Sequence, residues 1–295
     1  MIGSDVPRFG LNLHTSIGDV DPVQVARHAE QLGFDLVSVH RDVIAGPPPS
    51  FEMWTLLTWL AANTSNITLT SNVLAMPNRH PALLAKMAAS LDALAGHRLV
   101  LTLGAGAPMN QDAVRSIGLP TPSGAAAVTA LGEQIHMLRT WWSGQPVTRR
   151  GTLGEFHDAE VFPLPDKPIP IWIGAYGPRM LRLIGERADG WLPSGFILPP
   201  DQLDASIARV RRAAQDAGRD PGKITVGYNI GVLIGSPNDR RPGQLSGTVD
   251  HVAAALADLA RRGVSLINLW PADTSDAHRD VLATAVLPQV KDRLS

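Results

Sequence analysis

Short apolar runs alternate with amphipathic stretches along almost the whole chain. FGLNLH (9–14), LVSVH (36–40), ITLTSNV (67–73) and LVLTLGAG (99–106) are rich in aliphatic and β-branched residues and end at polar or glycine-bearing turns, which predicts strands. Helical periods separate them. Asp21-Pro22 opens one, with Val25, Ala29 and Leu32 on one face and Gly33 closing it. A second carries Trp54 and runs to Asn63, and a third, from Pro81 to Gly96, lines up Leu84, Met87, Ala88, Leu91 and Leu94. A fourth is expected between Ala125 and Trp142. A polar stretch rich in glycine and proline, 143–168, then breaks the rhythm and reads as an irregular insertion. The alternation resumes with PIWIG (170–174) and its helix, then GWLPS (190–194) with a helix over 201–217. TVGYNIGVLIG (225–235) with a helix over 248–262, and SLINLW (265–270) with a C-terminal helix, complete eight strand–helix units. Apolar strands alternating with amphipathic helices imply parallel strands covered by helices. Eight such units in one domain, 1–295, favour an α/β (β/α)8 TIM barrel, with an open doubly wound sheet as the alternative.

Composition narrows the chemistry. The 295 residues are 44% hydrophobic, enough for a large core, and their formal net charge of -1 comes with no block of either sign. Nucleic acid and anionic membrane surfaces are therefore not expected as partners. The chain has no cysteine, which excludes disulfides, thiolate nucleophiles and cysteine-ligated metal. The start, MIGSDVPRFGLNLHTS, has no charged region followed by an apolar run of signal-peptide length, and no apolar stretch of about 18 residues occurs. A soluble cytoplasmic protein is the economical expectation. No histidine pair has the H-E-x-x-H spacing and no serine sits in G-x-S-x-G, so no metal site is expected. A chain with so little covalent or metal chemistry suits an enzyme whose cofactor does the difficult step.

One bend invites a ligand. Gly174-Ala175-Tyr176-Gly177-Pro178 matches neither the dinucleotide fingerprint nor the P-loop. Pro178 suits the first turn of a helix and Gly177 its N-cap. The neighbouring unpaired N–H groups, with the helix dipole, favour an anion.

Four segments together resemble the luciferase-like monooxygenase superfamily, in particular its coenzyme F420 (deazaflavin)-dependent oxidoreductases. They are VQVARHAEQLGFDLVSV (23–39), RHPALLAKMAASLDALAGHRLVLTLGAG (79–106), WWSGQPV with PLPDKPIPIWIGAYGPRMLRLIGERADGW (141–147 and 163–191), and SGTVDHVAAALADLARRGVSLINLWP (246–271). The resemblance implies a barrel of the bacterial-luciferase type with its cofactor across the carboxyl ends of the strands. Gly174, Ala175, Tyr176, Gly177 and Pro178 would then hold the cofactor phosphate through backbone N–H groups, with Arg179 nearby. Gly104, Ala105, Gly106 and Asn110 would admit the cofactor at the end of the fourth strand. TSNVLAMP (70–77) is similar to the segment carrying a non-prolyl cis peptide under the deazaflavin ring, which by alignment is Asn72–Val73, with Ser71 and Met76 alongside.

At the end of the second strand the resemblance makes His40 and Asp42 candidate proton donors and Arg41 a ring contact. Many relatives have Asp-His where this chain has Arg41-Asp42. The sugar-phosphate dehydrogenases of the family carry a glutamate directly after the strand-four G-x-G, where this chain has Ala107, which argues against glucose 6-phosphate as substrate. His14, Trp54, Trp191, Phe196 and Trp270 are candidates for an apolar substrate pocket and are equally suited to the core. The implied reaction is hydride transfer between C5 of F420 and a small organic substrate. An FMN-dependent monooxygenase on the same barrel and a non-catalytic cofactor-binding barrel are the alternatives. A homodimer built through barrel helices is expected from the same resemblance.

Overall fold

The computed structural model describes residues 6–18, 20–40, 49–106, 110–235 and 243–295. Eight strands form a closed parallel barrel: β1 (Arg8–Leu13), β2 (Leu36–Val39), β3 (Thr68–Ser71), β4 (Leu99–Gly104), β5 (Ile171–Ile173), β6 (Gly190–Trp191), β7 (Thr225–Ile234) and β8 (Leu266–Pro271). Each pairs with the next in sequence, and β8 returns to β1 with Arg8 opposite Leu266. The strands read as near-continuous apolar runs because helices cover the outside of the sheet while their other face fills the barrel.

The helices are α1 (Pro22–Gln31), α2 (Met53–Asn63), α3 (Pro81–Leu94), α4 (Gly124–Trp142), α5 (Pro178–Arg187), α6 (Leu203–Asp216), α7 (Val249–Arg261) and α8 (276–292), the last interrupted by a π turn at Leu282–Val286. Their starts follow local capping chemistry. Asp21 accepts from the Val23 N–H at 2.8 Å, Glu52 from Trp54 and Thr55, and Thr248 from His251. Arg98, just ahead of β4, donates to the carbonyls of Ala61, Thr64, Ile67 and Ala95. One guanidinium thus satisfies terminal carbonyls of α2 and the turn after α3, and so locks two helices to the barrel.

Two segments differ from the sequence expectation. The stretch 143–168 contains an ordered antiparallel hairpin, Val147–Gly151 with Gly154–Ala159, in which Gly154 turns at φ 120°. The alternating small and polar residues concealed its strand period. The third apolar run is not one strand. β3 stops at Ser71, and Leu74–Ala75 re-pairs with β4 after the chain jogs through Asn72 and Val73. Two shorter elements, the helix Gln111–Ser116 and the strand Gln244–Gly247 along β7, lie outside the eight-unit plan.

Candidate functional site

The carboxyl ends of the strands form one mouth, and its β3–β5 side is built by steric exclusion. The Asn72–Val73 peptide is cis. Val73 is wedged between Gly104 at the end of β4 and Gly174 just after β5. A Cβ on Gly104 would lie 2.6 Å from Val73 Cγ2, and one on Gly174 would lie 2.7 Å from Val73 Cγ1. Both glycines therefore make room for this side chain, a job distinct from the close cofactor approach expected of Gly104. Gly106 adopts φ 94° at an exposed position, Ala105 is half-buried, and Asn110 is exposed at the start of the Gln111–Ser116 helix. Ser71 is buried and its hydroxyl is spent on the Thr102 backbone, donating to the carbonyl at 2.7 Å and accepting from the N–H at 3.1 Å. Met76 is also buried. These two support the shelf from beneath and do not reach the surface a ligand would touch.

The bend after β5 is open where an anion would need it open. Gly177 caps α5 without a side-chain hydrogen bond, and it, Pro178 and Arg179 are exposed. Among the described residues, chain neighbours aside, no atom lies within 4 Å of the position a Gly177 Cβ would take. The rest of the bend is braced from behind. Trp191 is fully buried and donates from Nε1 to the Ala175 carbonyl at 2.8 Å, while the Tyr176 hydroxyl accepts from the Ser194 N–H at 3.1 Å. Burial raises the Tyr176 phenol above its ordinary range, and the Ser194 hydrogen bond offsets this only in part. Tyr228 on β7 donates to the Leu198 carbonyl at 2.6 Å, and burial raises its phenol as well. The two tyrosines thereby hold the segment 194–198 from both sides.

Across the mouth, four residues expected from sequence do meet. His40 packs on Trp270 with ring centroids 4.5 Å apart, His14 stands edge-on to His40 at 6.3 Å, and Phe196 stands edge-on to Trp270 at 5.7 Å. His14 Nε2 also lies 3.1 Å from the Pro271 carbonyl. Trp54, by contrast, is buried on α2 among core side chains, as Trp191 is under the bend. Neither offers a face to a substrate. Arg41, Asp42 and Ala107 lie outside the described residues. Among the described residues no group of three His, Asp or Glu side chains is placed to hold a metal ion.

Beneath this aromatic cluster lies a layer that sequence reasoning did not single out. Asn12 on β1, Ser38 on β2, Asn229 on β7 and Asn268 on β8 are all buried, and Asn72 joins them from the turn after β3. Asn12 Oδ1 accepts from Ser38 Oγ at 2.8 Å and from Asn72 Nδ2 at 3.0 Å. Asn72 and Asn229 exchange two amide hydrogen bonds at 2.9 and 3.1 Å, and Asn268 Nδ2 donates to Ser38 Oγ and Asn229 Oδ1. Asn12 Nδ2 lies 3.1 Å from His40 Nδ1, which connects the layer to the mouth. The signal was present: FGLNLH, VGYNIG and SLINLW each hold one asparagine inside an apolar strand, and a buried amide in such a place needs partners.

The family model for luciferase-like monooxygenases matches residues 20–241. An F420-dependent glucose-6-phosphate dehydrogenase of Kineococcus radiotolerans is 31% identical over 208 residues, 68% of this chain and 59% of that protein. A 5,10-methylenetetrahydromethanopterin reductase of Methanolobus tindarius is 32% identical over 224 residues, 74% of this chain and 63% of that one. The chain thus spans about three fifths of the length of the curated relatives it matches. The solved structure of an F420-dependent secondary alcohol dehydrogenase in complex with an F420-acetone adduct superposes with a TM-score of 0.86 at 19% identity, covering 97% of this chain and 99% of the other.

Proposed function

Because the chain belongs to the luciferase-like monooxygenase family, we propose that it is an oxidoreductase moving a hydride between coenzyme F420 and a small organic substrate at the barrel mouth. Its relatives named for F420 chemistry support this reading. So does the coincidence, at one end of the barrel, of the uncapped N-terminus of α5 with the Val73 shelf, and this is the observation that carries it. An open helix start favours a phosphate, and an apolar shelf beside it favours a flat ring. Bound there, the deazaflavin would supply a two-electron hydride carrier at C5. The backbone from Ala175 to Gly177 would hold the phosphate, and Val73 would support the ring. His14, Trp270 and Phe196 would exclude water around the substrate. His40, Asp42 or a bound water would handle the accompanying proton.

The substrate is expected to differ from glucose 6-phosphate, since Ala107 replaces the acidic residue of the sugar-phosphate enzymes. Carbonyl–alcohol pairs, enones and imines are the classes to screen. We also propose that the enzyme works in the cytoplasm as a homodimer. Exposed Trp59 on α2 and Leu83 and Leu94 on α3 are apolar residues on neighbouring helices suited to burial between two copies. No helix among the described residues is long and apolar enough to cross a membrane. The deciding experiment is titration with oxidised F420 and with FMN, together with mass and fluorescence of any cofactor released on denaturing the purified protein. F420 binding is expected; tight FMN binding without F420 binding overturns the proposal.

A further inference from the structure

Phe196 is exposed, yet its place is closely specified. It follows β6 and is 45% exposed, while the backbone around it is cleared to seat it. A Cβ on Gly231 of β7 would lie 3.1 Å from Phe196 Cζ, and one on Gly243 would lie 2.5 Å from Phe196 Cα. Gly243 also turns at φ 75°, a conformation that side chains rarely adopt. The Tyr176 and Tyr228 hydroxyls fix the backbone on either side of Phe196 through Ser194 and Leu198. Its ring stands edge-on to half-buried Trp270, and Trp270 packs on His40. Single apolar residues scattered over a surface need no explanation. A ring half in water, seated against two glycines and joined to the mouth through one aromatic neighbour, is a different case. The surroundings share its character. Ile197, next in the chain, is exposed, and on the β1–β2 side Ile17 and Phe51 are exposed on segments that pair antiparallel at Ser16 and Ser50.

From this arrangement we infer that Phe196 and Trp270 form an apolar ramp out of the mouth, and that the substrate is a carbonyl compound or alcohol with an apolar chain lying along it. The inference rests on the proposed hydride-transfer reading and narrows it to substrates with an apolar body. Sugar hydroxyls laid on two aromatic rings would lose water without gaining partners. Phe196 is then a specificity-determining residue, which touches the substrate's chain and takes no part in the chemistry. A methylene fully removed from water gains about fourfold in affinity. One that lies on a single ring face, with its other side still in water, should gain roughly twofold.

A series of methyl ketones from butanone to octan-2-one, which adds four methylenes and no polar group, tests the ramp. With reduced F420 the ketone carbon gains the hydride, the cofactor is oxidised and the oxygen gains a proton from water. Along the series kcat/KM should rise roughly twofold per methylene, about 16-fold in all. Phe196→Asn should flatten the rise, and Phe196→Leu, still apolar, should keep about fourfold or more of it. A wild type indifferent to chain length, or a Phe196→Asn variant with an undiminished rise, overturns the ramp.

Occupation of the ramp can also be read without turnover. In protein labelled with 5-fluorotryptophan at its seven tryptophans, the 19F resonance lost in Trp270→Phe reports the Trp270 ring. It should shift on titration with octan-2-one, at lower concentration than with butanone, and the advantage of the longer ketone should disappear in Phe196→Asn. A shift with phosphatidylcholine vesicles and none with the dissolved ketones would make this a lipid-docking face and overturn the substrate role. If the ketones shift Trp270 in the expected order but none is reduced with F420, the hydride-transfer reading falls and the ramp stands. If F420-linked turnover ignores chain length, the ramp falls and the reading stands.

Discussion

The two sides of the barrel mouth are built on opposite principles. On the β4–β5 side, Gly104 and Gly174 lack the Cβ atoms that would strike Val73, and position is set by what is left out. On the β7–β8–β1–β2 side, position is set by what is paired, through asparagine amides that leave little freedom to flip. Steric exclusion fixes where Val73 can sit but says nothing about charge. Directed hydrogen bonds fix how the buried amides face one another and set the Asn12 amide 3.1 Å from His40 Nδ1.

The largest effect should come from breaking the paired side. Replacing Asn229 by leucine removes the amide that bridges Asn72, Asn268 and the Pro193 carbonyl. Buried polar groups left without partners cost about 1–3 kcal/mol each, so urea unfolding should show a loss of roughly 3 kcal/mol or more. A loss below about 1 kcal/mol would mean that the layer is relaxed by water and carries no fixed direction. On the other side, Gly174→Ala should cost about 1–3 kcal/mol by overpacking against Val73. Val73→Ala in the same chain should return much of that loss, a coupling that a double-mutant cycle measures directly. Additive effects would show that Val73 is not the neighbour that requires the glycine.

The two sides were unequally legible in the sequence. Hydrophobic periodicity gave all eight barrel strands, because parallel strands buried on both faces leave a strong apolar signature. The bend at Gly174–Pro178 was named in advance, since strand ends are where a barrel builds sites, and His14, His40, Phe196 and Trp270 were each named singly, but that their rings meet was not read from the sequence. Asn12, Asn229 and Asn268 were passed over because each is a single polar residue in a different strand. Their partnership comes from barrel closure, which sets Gly10 of β1 opposite Asn268 of β8 and lets Ser38 bridge Asn12 and Asn268. Trp54 and Trp191 illustrate the converse: large aromatic rings are as useful in the core as at a mouth, and sequence alone does not tell which.

A moderate effect is expected at alkaline pH, where the segment 194–198 ties the two sides together. Both tyrosines of the chain hold it, Tyr176 by accepting from Ser194 and Tyr228 by donating to Leu198. Burial raises both phenols above the ordinary value of 10.0. The unfolded chain therefore ionises first as pH rises. The stability these phenols contribute is complete below pH 10.0 and is lost as pH climbs above it toward the folded values. Chemical unfolding on either side of that pH should show the decline, and Tyr228→Phe should flatten it more than Tyr176→Phe, in line with the larger upward shift at Tyr228. Tyrosinate absorbance should appear with unfolding and not before it; free titration of either ring in the folded protein would show that the segment is not held as described.

The smallest effect on stability sharpens the comparison most, because it uses a second glycine of the same bend. Gly177 sits at φ -70° and ψ 153°, a conformation open to any residue, and among the described residues nothing but its chain neighbours approaches the position of its missing Cβ. Gly177→Ala should therefore change stability by no more than about 1 kcal/mol, the scale of an N-cap adjustment. The same methyl would stand at the exposed start of α5, where the phosphate is proposed to bind, and should weaken F420 binding by roughly tenfold, about 1.4 kcal/mol. Gly174→Ala should show the reverse profile, with stability lost through Val73. A bend whose two glycines fail in opposite assays is one in which the first glycine makes room for the protein and the second makes room for the ligand. If Gly177→Ala unfolds as early as Gly174→Ala, or binds F420 as tightly as the wild type, the open bend is only a turn.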